Sequence, residues 1–180
     1  MTSPAVALRR PLLCDISARA TLGISEEISR MAGAPVRSRA ELTAGEAKAW
    51  FHRLQLQPHG QVILLGGELV GEIRFDTLNP HDRRGRMAME LYHPRHMGRG
   101  IGRQALRLFL DHAFGTQGLH RIDLRVLLFN TRAIRCYEAC GFRYEGTERE
   151  SALIDGQWHD DHIMALLEQE YRAHAADRKT

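Results

Sequence analysis

A glycine-rich loop lies between a strand-like segment and a strongly amphipathic segment near the middle of the chain. Gly98, Gly100 and Gly102 occupy alternate positions there, shortly after the strand-like run that ends at His93. Glycine has no Cβ, so its backbone can approach a ligand closely and adopt positive φ. The first N–H groups of a helix have no partner inside it, and with the helix dipole they attract anions. The pattern therefore predicts a strand, a tight loop and a helix that together bind a phosphate.

The rest of the chain alternates helical and strand-like segments, without a repeat or a linker. Apolar spacing and helix-end residues predict helices over residues 12–31, 43–57, 102–114 and 131–140. Period-two patterns and turn residues predict strands over residues 6–10, 61–65, 69–75, 86–93, 122–128, 142–150 and 157–166. This order predicts a single mixed α/β (α+β) domain over residues 1–180. We expect the first few residues and residues 172–180 to be frayed.

Composition narrows the class of protein. A net charge of +3 over 180 residues is too small to indicate a nucleic-acid partner. The three cysteines do not form a disulfide framework, and we expect them to be reduced. No signal peptide is recognisable, and no apolar run reaches the roughly 20 residues of a spanning helix. These features predict a cytoplasmic protein without a membrane partner.

Two common phosphate-binding motifs do not fit the spacing. A dinucleotide loop has the form G-x-G-x-x-G, whereas here the third glycine falls one place early and is followed by Arg103. A nucleotide P-loop has the form G-x-x-x-x-G-K-[ST]. No lysine follows these glycines, because the only lysines in the chain are Lys48 and Lys179. A nucleotide-binding protein therefore stays the weaker alternative.

A second motif follows the glycine loop and indicates a different class of ligand. The pattern N-x-x-A-x-x-x-Y-x-x-x-G-F is matched at every spacing by Asn130, Ala133, Tyr137, Gly141 and Phe142. With Gly100 and Gly102 in a loop of the form [Q/R]-x-x-G-x-[G/A], the chain resembles the GNAT superfamily of N-acetyltransferases over about residues 5–169. The first loop position holds Met97 in place of Gln or Arg. In the family the backbone N–H of that position meets the phosphate.

The C-terminal hairpin resembles one branch of this superfamily. Residues 155–160 with Met164 are similar to the branch that contains ribosomal-protein N-terminal acetyltransferases and spermidine N-acetyltransferases. The resemblance implies a mixed, mostly antiparallel sheet flanked by helices, with acetyl-CoA as cosubstrate and no metal. It also implies direct attack by a primary amine: a protein N-terminus, a polyamine or a small amine such as an aminoglycoside. A homodimer and a longer acyl chain are left open.

The resemblance also implies which residues bind the cofactor. At the strand end, backbone groups would pair with the pantetheine arm, and the loop and helix start would bind the pyrophosphate. Together with residues of the second motif, this set comprises Leu91, Tyr92, His93, Met97, Gly98, Arg99, Gly100, Ile101, Gly102, Arg103, Asn130, Ala133, Arg135 and Tyr137. Asn130 could bind the pantetheine arm or only cap the next helix.

Proton transfer would require an acid and a base. The resemblance implies that Tyr137 donates a proton to the leaving thiolate, whose ordinary pKa is about 8.5. For the base, Glu90 lies on the strand that borders the acetyl site, and Glu72 and Asp76 are further candidates. If no base operates, the chain would instead be a non-catalytic module that binds or senses acyl-CoA.

His93 and His96 form one pair of potential metal ligands, and His159 and His162 form another. Neither pair has a third ligand at a metal-binding spacing. We therefore predict no metal site.

Overall fold

One seven-stranded sheet forms the centre of the computed structural model, which describes residues 4–35 and 38–177. The strands lie in the order β1-β2-β3-β4-β5-β7-β6. Their bounds are Val6–Arg9 (β1), Gln61–Leu65 (β2), Glu68–Asn79 (β3), Arg84–Leu91 (β4), Arg121–Leu127 (β5), Arg143–Ile154 (β6) and Gln157–Leu167 (β7). Only the β4–β5 pair is parallel among these neighbours. The predicted mixed, mostly antiparallel sheet is thereby confirmed.

Within residues 4–35 and 38–177, six α-helices pack around the sheet. Their bounds are Asp15–Leu22 (α1), Glu26–Met31 (α2), Ala44–Leu56 (α3), Ile101–Leu110 (α4), Thr131–Glu138 (α5) and Glu168–Asp177 (α6). A short 3₁₀ turn precedes α4 at Pro94–His96, and a wider π-helical turn continues α4 over Asp111–Thr116. A capping box begins α3, because the Thr43 hydroxyl accepts from Glu46 N–H and the Glu46 carboxylate accepts from Thr43 N–H. None of the helices in the described ranges is long and apolar enough to span a membrane.

The single helix predicted over residues 12–31 is wrong, since the structure has two helices there. Gly23 ends α1 with a φ of 61°, a conformation that L side chains rarely adopt. Ile24 then forms an isolated bridge with Arg39, with N–H to carbonyl distances of 2.8 and 2.9 Å. A Cβ on Gly23 would lie 2.2 Å from the Arg39 carbonyl oxygen. This close pairing with a distant segment turns the chain between α1 and α2.

The segment over residues 172–180, which we expect to be frayed, is helical as far as Asp177, because α6 continues to that residue. Tyr171 is buried and stacks on Phe114, with ring centroids 5.1 Å apart. Its hydroxyl donates to the Asp111 carboxylate. Residues 178–180 and the first three residues, which were also expected to fray, lie outside the described residues.

The two faces of the sheet carry separate apolar clusters. The larger one packs α4 against the sheet and includes Ile73, Phe75, Met87 and Phe109. On the opposite face, a smaller cluster around Trp50, Leu54 and Tyr92 packs α3 and α1 against β2 and β3. Met89 and Leu91 of β4 lean on the larger cluster. Since successive side chains of a strand point to opposite faces, Glu90 lies on the face of the smaller cluster.

The anchoring of α6 generates a stability prediction. We expect Tyr171→Ala to lower the free energy of unfolding by about 3 kcal/mol, because it removes a buried aromatic ring and its hydroxyl bond. Tyr171→Phe, which keeps the ring, should cost only about 1 kcal/mol. Urea denaturation of both variants measures this. A change within about 0.5 kcal/mol for Tyr171→Ala, as for an exposed residue, would mean that α6 is not packed on the domain.

Candidate active site

The parallel strands β4 and β5 separate shortly after they begin. They pair only from Arg84 opposite Arg121 to Arg86 opposite Asp123, whereas β4 continues to Leu91. On its other side, β4 stays paired with β3, and Tyr92 N–H donates to the Val70 carbonyl. Main-chain groups alternate in direction along such a ladder, so those of Met89 and Leu91 point into the gap. The gap therefore offers unpaired backbone donors and acceptors to an extended ligand.

A cavity of about 400 Å³ occupies this gap. Its walls come from the end of β4, the loop and first turn of α4, the start of α5, and the inner side of α2. The lining residues are Ile28, Met31, Ala32, Met89, Glu90, Leu91, His96, Met97, Gly98, Gly100, Ile101, Gly102, Arg103, Asn130, Arg132, Ala133, Arg135, Cys136 and Tyr137. Met89 and Glu90 both belong to this lining, and their side chains leave opposite faces of the sheet.

The glycine loop has the backbone conformation that its sequence predicts. Gly98 and Gly100 have φ of 69° and 76°, and a Cβ at either position would meet no backbone atom within 4 Å. The first helical bond of α4 runs from Gln104 N–H to Gly100 O over 3.0 Å. The amides before Gln104 in the first turn therefore have no partner inside the helix. These N–H groups and the positive end of the helix dipole border the cavity.

Met97 differs from the sequence-based expectation. Its N–H donates to the Pro94 carbonyl over 2.9 Å in the 3₁₀ turn, so this amide is already used inside the protein. In this conformation the amide is not free to meet a phosphate, as the resemblance implied for this position. Met97 instead lines the cavity with its side chain, whose sulfur is in contact with the Arg132 guanidinium.

Three exposed arginines lie near the loop without an ion-pair partner in the described part of the chain. Arg103 and Arg135 line the cavity, whereas Arg99 does not. Arg132, by contrast, pairs with Glu27 at the start of α2 over 3.0 Å. Arg103 and Arg135 are thus the two cations at the cavity that are free to meet an anionic ligand.

Glu90 is the carboxyl group that lines the cavity. Desolvation raises its pKa to about 7, and the negative charge of Glu72 adds to the shift, while Arg19, Arg74 and Arg53 oppose it. A carboxyl with a pKa near 7 exists in both protonation states at neutral pH, and as the carboxylate it is a stronger base than an ordinary glutamate. Asp76, which the sequence also offered as a candidate base, is exposed and paired with Arg74 over 2.9 Å.

Tyr137 lies on α5 at the opposite wall of the cavity. It is only 6% exposed, and its ring packs against Phe142. Burial, with smaller contributions from Cys136 and Cys140, raises its pKa above the ordinary value of 10. The hydroxyl therefore stays protonated throughout the neutral range and can donate a hydrogen bond. Burial also raises the pKa of the neighbouring Cys136 to about 11, so this thiol is a poor nucleophile at neutral pH.

Asn130 connects two walls of the cavity. Its Oδ1 accepts from Ala133 N–H over 3.2 Å and so caps α5, as one of the two predicted roles requires. Its Nδ2 donates to the Met31 carbonyl at the end of α2, also over 3.2 Å. Together with the Arg132–Glu27 pair, this bond holds α2 against α5. The helix thus forms a fixed wall of the cavity.

The structure places three of the predicted cofactor residues outside the lining. Tyr92 is buried beneath the gap, with its hydroxyl on the Glu72 carboxylate, and His93 caps the 3₁₀ turn by accepting from Arg95 N–H. Arg99 is the third. The sequence reasoning missed the wall that α2 provides, although Ile28, Met31 and Ala32 have the i, i+3, i+4 spacing of one helix face.

His96 was assigned no binding role from sequence either. It is 4% exposed, lines the cavity, and has an unpartnered Nδ1, while its Nε2 accepts from Arg95. Burial lowers its pKa, with help from the charge of Arg95, so the ring favours the neutral form.

The site thus combines a parallel strand pair that separates, a glycine-capped helix, a carboxyl group and a phenol. The model of the acetyltransferase (GNAT) family matches residues 26–142. The chain belongs to this family.

Curated relatives resemble part of the chain. The probable N-acetyltransferase YjcK of Bacillus subtilis is 40% identical over 72 residues, which are 40% of this chain and 40% of the relative. Spermidine N(1)-acetyltransferase of Vibrio cholerae is 37% identical over 78 residues, which are 43% of this chain and 45% of the relative. The chain thus spans less than half the length of each of these two relatives.

Solved structures share the whole fold. Spermidine N-acetyltransferase from Vibrio cholerae, in complex with CoA and spermine, superposes with a TM-score of 0.76 and 23% identity over 93% of this chain and 98% of that one. An acetyltransferase of the GNAT family from Bacillus anthracis gives a TM-score of 0.76 at 19% identity, over 93% and 98% of the two chains. At these identities the likeness shows the fold alone.

The conformation of Gly100 leads to a binding prediction. We expect Gly100→Ala to weaken coenzyme A binding by about tenfold or more, because a Cβ strains the left-handed conformation and turns the adjacent amides away. Gly118→Ala is the matched control, since Gly118 has a φ of 64°, no neighbour within 4 Å of an added Cβ, and a position outside the cavity lining. Titration calorimetry with coenzyme A measures both. Equal affinities for the two variants would show that the loop does not bind the ligand.

The raised pKa of Glu90 predicts a pH-dependent stability. A carboxyl whose pKa is raised in the folded state stabilises the fold at low pH, and this contribution is lost as pH rises from about 4.5 to about 7. We expect the wild type to lose on the order of 2 kcal/mol relative to Glu90→Gln over this range. Urea denaturation of both proteins at a series of pH values measures the difference.

Glu145 should contribute to stability with the opposite pH dependence and so serves as a control. Its hydrogen bond from Arg121 lowers its pKa, so its smaller contribution is lost as pH falls. A pH-independent difference between wild type and Glu90→Gln would contradict the raised pKa of Glu90.

Proposed function

We propose that the protein is an N-acetyltransferase that moves the acetyl group of acetyl-CoA to a primary amine by direct attack. One observation carries the proposal: a single cavity joins the unpaired amides of the first α4 turn to a carboxyl of pKa near 7 and a protonated phenol. The loop alone would suit many phosphate ligands. The combination with two proton-handling groups across a gap in the sheet suits transfer to an amine.

The residues present fit acetyl-CoA. The amides of residues 98–103 and the free guanidinium groups of Arg103 and Arg135 would hold the pyrophosphate. The backbone of Met89 and Leu91 would pair with the pantetheine arm as an added strand does. A Cβ on Gly102 would lie 3.4 Å from the Met89 side chain, so glycine at this position keeps the helix start close to the strand.

Glu90 would act as the base. The cosubstrate supplies a thioester whose carbonyl carbon forms the C–N bond while its C–S bond breaks. An amine arrives mostly as the ammonium form, because its pKa of about 10 for an alkylamine lies well above 7. Glu90, on the face of the sheet opposite α4, would accept the ammonium proton directly or through water.

Tyr137 would stabilise the departing sulfur. Its hydroxyl is the protonated donor on the α5 wall, and a hydrogen bond from it would lower the basicity of the leaving thiolate. Because its pKa is raised, complete transfer of its proton would leave a costly buried phenolate. We therefore assign Tyr137 the role of a hydrogen-bond donor, and the thiolate would take its proton, through water, from the nitrogen that has formed the new C–N bond.

The acceptor would be a cationic primary amine: a polyamine, a protein N-terminus or a small amine. Glu90 is a carboxyl inside the cavity, and it gives an incoming ammonium group an electrostatic partner. The related protein of Vibrio cholerae is a spermidine N(1)-acetyltransferase, and spermidine is an amine of this kind. The closing hairpin and the segment before β2 are the parts of the chain from which we expect acceptor choice to arise.

A screen of amines tests the function. Release of coenzyme A thiol from acetyl-CoA should rise at least about tenfold above background with one class among polyamines, N-terminal peptides and aminoglycosides. Coenzyme A binding without transfer to any of these amines would instead favour a module that binds or senses acyl-CoA. Absence of coenzyme A binding would contradict both.

Removal of the phenol gives a sharper prediction. We expect Tyr137→Phe to lower turnover about 100-fold, because it removes the donor to the departing sulfur, with little change in coenzyme A affinity. Steady-state kinetics with the best amine and calorimetry with coenzyme A measure the two quantities. Undiminished turnover would remove Tyr137 from the reaction.

A further inference from the structure

Glu72 is the most buried carboxylate near the site, although it does not line the cavity. It lies on β3 and is only 1% exposed. Arg53 and Arg74 contact its oxygens over 2.9 and 2.7 Å. The Trp50 indole N–H and the Tyr92 hydroxyl donate to Oε2 over 2.6 and 2.7 Å. Four donors, from α3, from β3 and from the residue after β4, therefore fix this side chain in one position.

These partners also keep Glu72 charged. Burial by itself would raise its pKa, but Arg53, Arg74 and the two hydrogen-bond donors outweigh it and lower the pKa below the ordinary value. Tyr92 remains a neutral donor, because burial and the nearby carboxylates raise its pKa. Arg19 stacks over the Tyr92 ring, 4.0 Å from its centre, and holds it from the other side. The result is a permanent negative charge beneath the sheet surface.

Glu90 lies directly opposite this charge. Glu72 and Glu90 are partners in the antiparallel β3–β4 register, so their side chains leave the same face of the sheet. Directly opposed side chains in such a pair are neighbours, with Cβ atoms about 5 Å apart. Tyr92, two residues beyond Glu90, ties the end of β4 to the same carboxylate.

We propose that Glu72 is a positioning residue for Glu90: its immobilised carboxylate, held opposite Glu90 across the β3–β4 pair, raises the proton affinity of the base. This inference rests on the proposed function only in naming Glu90 as the base. The coupling of the two carboxyl groups exists whatever the acceptor is. Glu72 touches neither the cavity nor its ligands, and it acts through Glu90 alone.

Several other charged groups surround Glu90 and enter the same balance. Arg19 comes from α1, Arg53 from α3, and Arg74 from β3 beside Glu72. Across the cavity are His96, Arg103, Arg132 and Arg135. Arg19, Arg53 and Arg74 favour the carboxylate form of Glu90, whereas desolvation and the charge of Glu72 oppose it.

The test is a carbon-13 NMR titration of the glutamate side-chain carboxyls in the free protein, which needs no acceptor. In the wild type one carboxyl should titrate near pH 7, and Glu90→Gln should remove that signal. Glu72→Gln should move the Glu90 midpoint down by about one pH unit, because a like charge within a few ångströms shifts a pKa by about that much.

Asp76→Asn is the matched control. It removes a carboxylate from the same strand that pairs with the same Arg74, but Asp76 is exposed and does not oppose Glu90 in the register. We expect the Glu90 midpoint to stay within about 0.3 units in this variant, as for a solvent-screened charge. An equal shift in Glu72→Gln and Asp76→Asn, or no shift in either, would overturn the inference.

Tyr92→Phe keeps the test decisive if Glu72→Gln does not fold. It keeps the buried ring and removes only the hydroxyl that donates to Glu72, and this neutral group is not one of the charges that act on Glu90 directly. Loss of this donor leaves the Glu72 charge less compensated, so the Glu90 midpoint should rise. A fall or an unchanged midpoint would contradict the account. If these shifts occur while no amine is acetylated, the proposed function fails and the coupling stands.

Discussion

The separation of β4 from β5 is the constraint on which the site depends. Two parallel strands that pair over three residues and then diverge leave the end of β4 with main-chain groups that no neighbouring strand satisfies. Buried groups of this kind need a partner, and a ligand that runs along the strand can supply it. The loop before α4 begins where β4 ends, so its free amides face the same opening. Backbone geometry thus creates the binding site, and side chains modify it.

Side chains enter the site from both faces of the sheet, and we propose a different role for each set. On the side of α4 and α5, the loop, the arginines and Tyr137 surround the space suited to acetyl-CoA. On the side of α1 and α3, a charged network of Glu72 with its arginines, Trp50 and Tyr92 lies behind Glu90. A buried charge is costly unless it is paired, and this one has four donors. Four donors on the buried Glu72 carboxylate support the proposed role of Glu72 in raising the proton affinity of Glu90.

The local features of this fold were predictable from sequence. The capping box at Thr43, the glycine loop and the motif from Asn130 to Phe142 each depend on residues close together in the chain, and the structure forms an N-cap or a tight turn at each of them. The family membership followed from the same motifs. The roles of Tyr137, Glu90 and the cofactor-binding residues stay predictions that the geometry supports.

Features that need distant partners were not predictable. The break at Gly23 depends on Arg39, and the order of α6 depends on Asp111 and Phe114. Glu72 looked equivalent to Asp76 in the sequence, because Glu72 lies in the strand-like run of residues 69–75 and Asp76 follows it directly. Only the packing of α3, which brings Trp50 and Arg53 onto the sheet, buries the first and leaves the second exposed. Likewise, no local pattern shows that Met97 N–H is already bonded to Pro94.

Hydrogen–deuterium exchange with and without coenzyme A tests the central claim most directly. If the gap between β4 and β5 holds the pantetheine arm and the loop holds the pyrophosphate, the amides of residues 89–91 and 98–103 should exchange at least about tenfold more slowly with ligand. Amides on the outer strands β1 and β6 should be unchanged. Protection that appears elsewhere, or none at residues 89–91, would contradict the account.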